Sequence, residues 1–200
     1  PMGDGRFTYL TLLADGNRID LQIIPIEKWK MLVEKDSESI LLLDKDGLLP
    51  PFPPNSDKDY HINPPTENDY FSCCNNFWWC LQNVAKGIWR DELPFAMDMY
   101  HHYVRDELNG MVEWYIGTQY DFTVSAGKKG KYFKRFLTED EYTLYCKTYT
   151  NGDSQCFWDG IFQMCKLFGQ LARKVGGYFG FSYLEADEKN MTAYLEQVRR

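Results

Sequence analysis

Two stretches of this sequence combine residue types that could do chemistry. In Gly127-Lys128-Lys129-Gly130-Lys131, lysines interrupted by glycines let ammonium groups and backbone amides converge on an anion such as a triphosphate. The same pattern also describes a solvated basic loop. Near the other end, Asp20 is a single carboxylate inside the β-rich run Arg18-Ile-Asp-Leu-Gln-Ile23. A lone acid there serves either to keep an edge strand soluble or to move a proton. Glu92 and Asp98 add acids to an aromatic helical region, where a negative wall would attract a polycation or simply face water. Trp78, Trp79, Trp89 and Trp114 read as core or inter-domain packing residues, with a stacking platform for a ligand as the alternative.

The elements that must position these groups follow from periodicity. Phe7 to Ile26 reads as two strands about an Asp15-Gly16 turn, a dipeptide that tolerates positive φ. Alternation puts Ile19, Leu21 and Ile23 on one face and Asp20, Gln22, Ile24 and Ile26 on the other. A short helix is expected over Glu27 to Lys35. Asp44-Lys-Asp-Gly47 then reads as a turn entering a proline-rich linker that ends near Pro65.

Beyond it, Thr66-x-x-Asp69 is a helix start in which the threonine oxygen caps free amides. Tyr70, Cys74, Phe77, Trp78, Leu81, Val84, Ala85 and Ile88 recur at the three-and-four spacing of a packed helix. A second helix is expected from Glu92 to Gly117, with Pro94 in its first turn. The segment from Asp121 to Gly127 breaks the period. A short helix over Lys131 to Leu137, a capping box at Thr138-x-x-Glu141, and helices over Asp153 to Gly176 and Asp187 to Val198 complete the pattern. Residues 65–200 are thus expected to form a helical bundle, preceded by a small piece of β structure and a linker in residues 1–64.

Composition narrows the function classes. A chain of 200 residues that is 44% hydrophobic and 16% aromatic can bury a real core. It contains neither a bilayer-spanning apolar run nor a basic-then-apolar leader, so it reads as a cytoplasmic protein without a membrane partner. Twenty-nine acids against 22 bases give a net charge of −7, which disfavours nucleic acid as a partner and suits a cationic ligand. The six cysteines lack zinc spacing and read as reduced, buried helix residues. His101 and His102 are adjacent and would diverge on a helix, which argues against a histidine metal site. No nucleophile elbow, P-loop or dinucleotide fingerprint is present. Nothing in the pattern sets an oligomeric state.

Seven motifs in chain order add what spacing cannot. They are Tyr9-Leu-x-x-x-x-Asp15-Gly-Asn-Arg-Ile-Asp-Leu21, Leu43-Asp-Lys-Asp-Gly47, Pro65-Thr, Cys73-Cys-Asn-x-Phe-Trp78, Val84-Ala-Lys-Gly-x-x-Arg90, Trp114-x-Ile-Gly117 and Gly127-Lys-x-x-Lys131. Together they resemble the aminoglycoside 6-adenylyltransferase, or streptomycin adenylyltransferase, family over essentially the whole chain. The resemblance implies an α+β fold, a partial nucleotidyltransferase sheet of the DNA-polymerase-beta type followed by a C-terminal helical bundle. ATP and a cationic aminoglycoside such as streptomycin would bind in the cleft between the two parts. By the same resemblance, Asp20 is an active-site carboxylate that accepts the proton of the attacking hydroxyl and touches Mg²⁺. Lys128, backed by Lys131, is the implied triphosphate ligand, and Glu92 and Asp98 are the implied acids on the drug side.

The departures from the family pattern also carry expectations. The family places a Gly-Ser phosphate motif and an Asp-x-Asp magnesium pair upstream of this point, and this sequence has no Gly-Ser dipeptide. Asp44-Lys-Asp46 and Asp57-Lys-Asp59 follow Asp20 in turn and proline-rich contexts, so they do not replace the pair. The sequence is therefore expected to be the C-terminal two-thirds of a longer enzyme, unable by itself to complete the metal site. Asn76 stands where the family commonly has Glu in Asn-Glu-Phe-Trp, a change expected to weaken or redirect drug choice. A non-catalytic binding protein on this scaffold, or transfer to another small alcohol, are the alternatives.

Overall fold

In the computed structural model, residues 5–30 and 36–200 are described. They divide into two compact units, Pro1–Asp59 and Tyr60–Arg200; the sequence reading drew its boundary slightly later, at the threshold of the first long helix.

In the first unit, β-branched and aromatic residues form an antiparallel hairpin of Phe7–Leu12 (β1) and Arg18–Ile23 (β2). The register pairs Thr8 with Gln22, Leu10 with Asp20 and Leu12 with Arg18, so these six residues share one face. The turn falls at Asp15-Gly16, as expected. Positive φ falls on Gly16 alone (85°), while Asp15 occupies an ordinary turn position. Gly16 N–H donates to the Leu13 carbonyl at 3.0 Å and Leu13 N–H to the Asn17 carbonyl at 2.7 Å, a three-residue loop rather than a two-residue one. The Asp15 carboxylate accepts the Asn17 backbone N–H (3.0 Å) and side-chain amide (2.9 Å), which holds its pKa below the usual value.

The helix expected over Glu27 to Lys35 begins as a 3-10 turn, Ile26–Lys28, and residues 31–35 lie outside the described residues. The aspartates of the following segment organise backbone. Asp44 accepts the Leu49 N–H at 2.8 Å, and Asp59 accepts the Ser37 N–H at 2.8 Å, which pins the far end of the proline-rich stretch.

The second unit is a bundle of Glu67–Trp89 (α1), Leu93–Asp98 (α2), Arg105–Gln119 (α3), Phe133–Phe136 (α4), Glu139–Cys146 (α5), Ser154–Phe179 (α6) and Glu185–Arg199 (α7). Both capping boxes form, at Thr66 with Asp69 and at Thr138 with Glu141, each satisfying amides the first turn leaves free. The Asp153 carboxylate caps α6, and Gly180, at φ 77°, ends it. Gly87 lets α2 approach α1, since a Cβ there would lie 2.9 Å from the Ala96 Cβ.

The helical stretch expected from Glu92 to Gly117 forms without a break as α2 and α3 joined by a π-helical segment, Met99–Val104. The wide turn accompanies a buried cation. The Arg105 guanidinium donates to the Thr148 hydroxyl (3.0 Å) and carbonyl (2.8 Å) and stacks 3.9 Å from the Tyr149 ring centroid. No hydrophobic pattern announces such a group.

At the centre of the bundle, Phe77 of α1 stacks on Phe168 of α6 with centroids 3.7 Å apart and planes 3° from parallel. Trp78 closes on Phe168 edge-on and donates its indole N–H to Tyr183 at 3.1 Å. The other expected packing tryptophans divide. Trp114 is half-buried, whereas Trp79 and Trp89 are 66% and 73% exposed, because they stand off the buried stripe of α1. The cysteines divide as well: Cys73, Cys74 and Cys165 are buried, Cys80 is intermediate, and Cys146 and Cys156 are exposed.

Candidate functional site

Asp20 sits in the middle of β2 with its carboxylate held by a neighbour of the same face. Arg18 Nε donates to Oδ1 and Nη2 to Oδ2, both at 2.7 Å. A two-residue step along a strand returns the side chain to the same face, so the pairing is a local consequence of Arg-x-Asp. The fork fixes the carboxylate plane, while each oxygen keeps a lone pair for a further partner. The Asp20 charge pushes the Arg18 pKa up, chiefly through the hydrogen bond. The Arg18–Asp20 pair went unread in the sequence, although the two-residue spacing was the signal.

The lysine loop uses its glycines for packing. Gly127 has φ 70°, and a Cβ there would lie 2.6 Å from both Lys131 Cγ and Tyr132 Cδ2. Gly130 has φ 74°, and its Cβ would strike the Phe133 ring at 2.6 Å. Three amides are engaged inside the segment: Gly127 N–H to Ser125 Oγ (3.1 Å), Gly130 N–H to the Gly127 carbonyl (3.0 Å) and Tyr132 N–H to the Ala126 carbonyl (3.0 Å). An anion here would therefore meet ammonium groups first, not those amides.

Lys128 and Lys129 line a cleft of about 520 Å³ whose other walls include Asn63, Glu113, Trp114 and Ser125. The Ile62 N–H, donating to the Val124 carbonyl at 3.0 Å, ties one wall to the loop. Glu113 comes from α3, and burial pushes its carboxyl up while Lys129 pulls it back. The cleft thus carries both charges beside a half-buried indole. Glu113 escaped the sequence reading because an acid in mid-helix looks like any solvated one. Lys131 does not line this cleft; its ammonium lies 4.8 Å from the Tyr132 ring centroid, a ring that also carries the Arg135 guanidinium at 4.0 Å.

The acids expected on the drug side lie elsewhere on the bundle. Glu92 precedes α2 and Asp98 ends it, both exposed, with Asp98 3.6 Å from His102 one turn on. Neither joins the lysine cleft. Asn76 of α1 donates to Glu107 of α3 at 3.1 Å, and burial pushes the Glu107 carboxyl up. An acid at position 76 would confront that carboxylate directly, so asparagine relieves a like-charge contact here. Among the described residues, no three His, Cys, Asp or Glu side chains gather as a metal site.

The fold recurs in a solved structure. An aminoglycoside 6-adenyltransferase from Bacillus subtilis aligns with a TM-score of 0.65 at 31% identity, covering 99% of this chain and 73% of that one. This places the chain in the nucleotidyltransferase class. Relatives named aminoglycoside 6-adenylyltransferase share 34% identity over 96% of the chain (Bacillus subtilis, 68% of that protein) and 33% over 100% (Campylobacter jejuni, 69% of that protein). A family model for streptomycin adenylyltransferase matches residues 2–198, and the chain belongs to that family.

Proposed function

We propose that this chain serves transfer of AMP from ATP to a hydroxyl of a cationic aminoglycoside, with streptomycin the first acceptor to test. The observation that carries the reading is the similarity, over 96% of the chain or more, to aminoglycoside 6-adenylyltransferases. In this mechanism Asp20, oriented by Arg18, takes the proton of the acceptor hydroxyl as its oxygen attacks the α-phosphate in line. The new P–O bond forms as the bond to the β-phosphate breaks, and pyrophosphate leaves with the released charge. Lys128, backed by Lys131, offsets charge on the triphosphate. Glu92 and Asp98 attract the cationic drug, and the Asn76–Glu107 pair tunes which drug is preferred.

Asp20 would supply one carboxylate to Mg²⁺, an ion bound by one or two carboxylates together with substrate phosphates and water, and the family pattern places the other metal-binding acids ahead of it in the chain. When bound, the ion neutralises charge on the transferring phosphoryl group. The net charge of −7 fits a small cationic acceptor rather than nucleic acid. A cytoplasmic setting supplies the ATP, and among the described residues no helix is long and apolar enough to cross a membrane.

The test is pyrophosphate release by the full-length gene product given ATP, Mg²⁺ and streptomycin. Asp20→Asn should lower the rate by about 10²–10⁴-fold without moving the melting temperature. Lys128→Ala should act mainly through KM for ATP. Full activity in Asp20→Asn would remove the base assignment. Saturable streptomycin binding without pyrophosphate release from the wild type would replace transfer by binding.

A further inference from the structure

Two adjacent indoles on α1 have opposite surroundings. Trp78 is 2% exposed and its N–H is satisfied by Tyr183, whereas Trp79 keeps 66% of its surface in solvent. A large exposed aromatic is informative because such surface is ordinarily withdrawn from water. Trp79 does not stand on a flat face. Asn75, Trp78 and Trp79 of α1 and Asp187, Asn190 and Met191 of α7 line a pocket of about 230 Å³. This pocket shares no lining residue with the lysine cleft.

The charge at this pocket is uncommitted. The first turn of α7 carries Glu185, Asp187 and Glu188. Arg173 donates to Glu185 (2.9 and 2.6 Å) and to Glu188 (2.6 Å), while Asp187 makes no ion pair among the described residues. Three carboxylates against one guanidinium leave an excess of negative charge, which exceeds the roughly half-unit positive charge of a helix N-terminus. The available carboxylate is the one that lines the pocket with the exposed indole.

We propose that the pocket between α1 and α7 binds a small organic cation, a guanidinium or alkylammonium group. The Trp79 ring supplies cation–π attraction and Asp187 the counter-charge. The side-chain carbonyls of Asn75 and Asn190 accept N–H bonds, and Met191 covers the alkyl stem. A volume of about 230 Å³ lies below that of pockets for drug-sized molecules, so the occupant is small.

The probe is 1-butylguanidinium, with 1-butylurea as its neutral counterpart of similar shape, followed through the indole N–H resonances of the labelled full chain. Trp79→Phe identifies the Trp79 signal. Butylguanidinium should shift that signal saturably and butylurea should not, a comparison that needs no variant. Asp187→Asn should weaken binding roughly tenfold or more. Trp79→Leu, read on the Met191 methyl resonance, should weaken it about three- to tenfold. Absence of a saturable shift, an equal response to the urea, or unchanged affinity in Asp187→Asn would overturn the site. These readouts involve neither ATP nor pyrophosphate, so they stand or fall apart from the proposed transfer activity.

Discussion

The hairpin and the helical bundle use their apolar residues in opposite ways. Phe77 and Phe168 have no exposed surface, whereas Leu10, Leu12, Ile19 and Leu21 are each more than half exposed. The hairpin carries apolar residues on both faces, and two strands can bury neither. The candidate groups inherit this difference. Asp20 is oriented by Arg18 two positions away, a local device that needs no core. Lys128 lies in a cleft whose walls come from α3 and from the segment ahead of α1, so its setting depends on how the bundle packs. One half of the proposed chemistry is thus written in a dipeptide step, and the other half in tertiary contacts.

The contrast can be broken most forcefully in the core. Phe168→Ala should cost about 3–5 kcal/mol of stability in urea unfolding, since it removes both the stacked face of Phe77 and the edge contact of Trp78. Leu10→Ala in the hairpin should stay within about 0.5 kcal/mol. Equal losses from the two variants would show that the hairpin face is covered in solution. A smaller effect is expected at the entrance to α1. Thr66→Ala abolishes the bond from the Asp69 N–H and should cost about 1 kcal/mol in the same measurement, while Thr66→Ser retains most of it.

The smallest effect is a slope. Burial raises the Glu113 carboxyl above its ordinary value of 4.5. In the interval above 4.5 the folded chain therefore binds more protons at this site than the unfolded one. Its stabilising contribution is full below that pH and is lost as pH rises through the folded value. Glu113→Gln should flatten this decline in melting temperatures taken on both sides of pH 4.5. An unchanged slope would assign it to Glu107, which burial pushes in the same direction.

Much of the fold was legible because its signals are short-ranged. Thr66-x-x-Asp69, Thr138-x-x-Glu141 and Asp153 mark helix starts through bonds spanning three residues, and all three form. The stripe from Tyr70 to Ala85 named the buried face of α1 because periodicity alone selects it. The hairpin and the place of its turn were visible, but not the loop length, because a Gly after Asp suits both a two-residue turn and a type I turn closed by a left-handed glycine.

The candidate residues could be named from the sequence, whereas their surroundings could not. The glycines around Lys128 suggested amides free for phosphate, yet they make room for Lys131, Tyr132 and Phe133 to fold over the backbone. Lys131 is drawn onto Tyr132, and Glu113 enters the cleft from a helix earlier in the chain.

By itself, then, the amino-acid order determined the α+β class, the helix caps, the stripe of α1 and the Arg18–Asp20 step, since each rests on interactions within a turn or a two-residue repeat. The tertiary structure alone decided where the helix widens to admit Arg105 and which acids face the lysine loop. Burial and electrostatics depend on the surface that arrives from a distant element, and no local spacing encodes that surface.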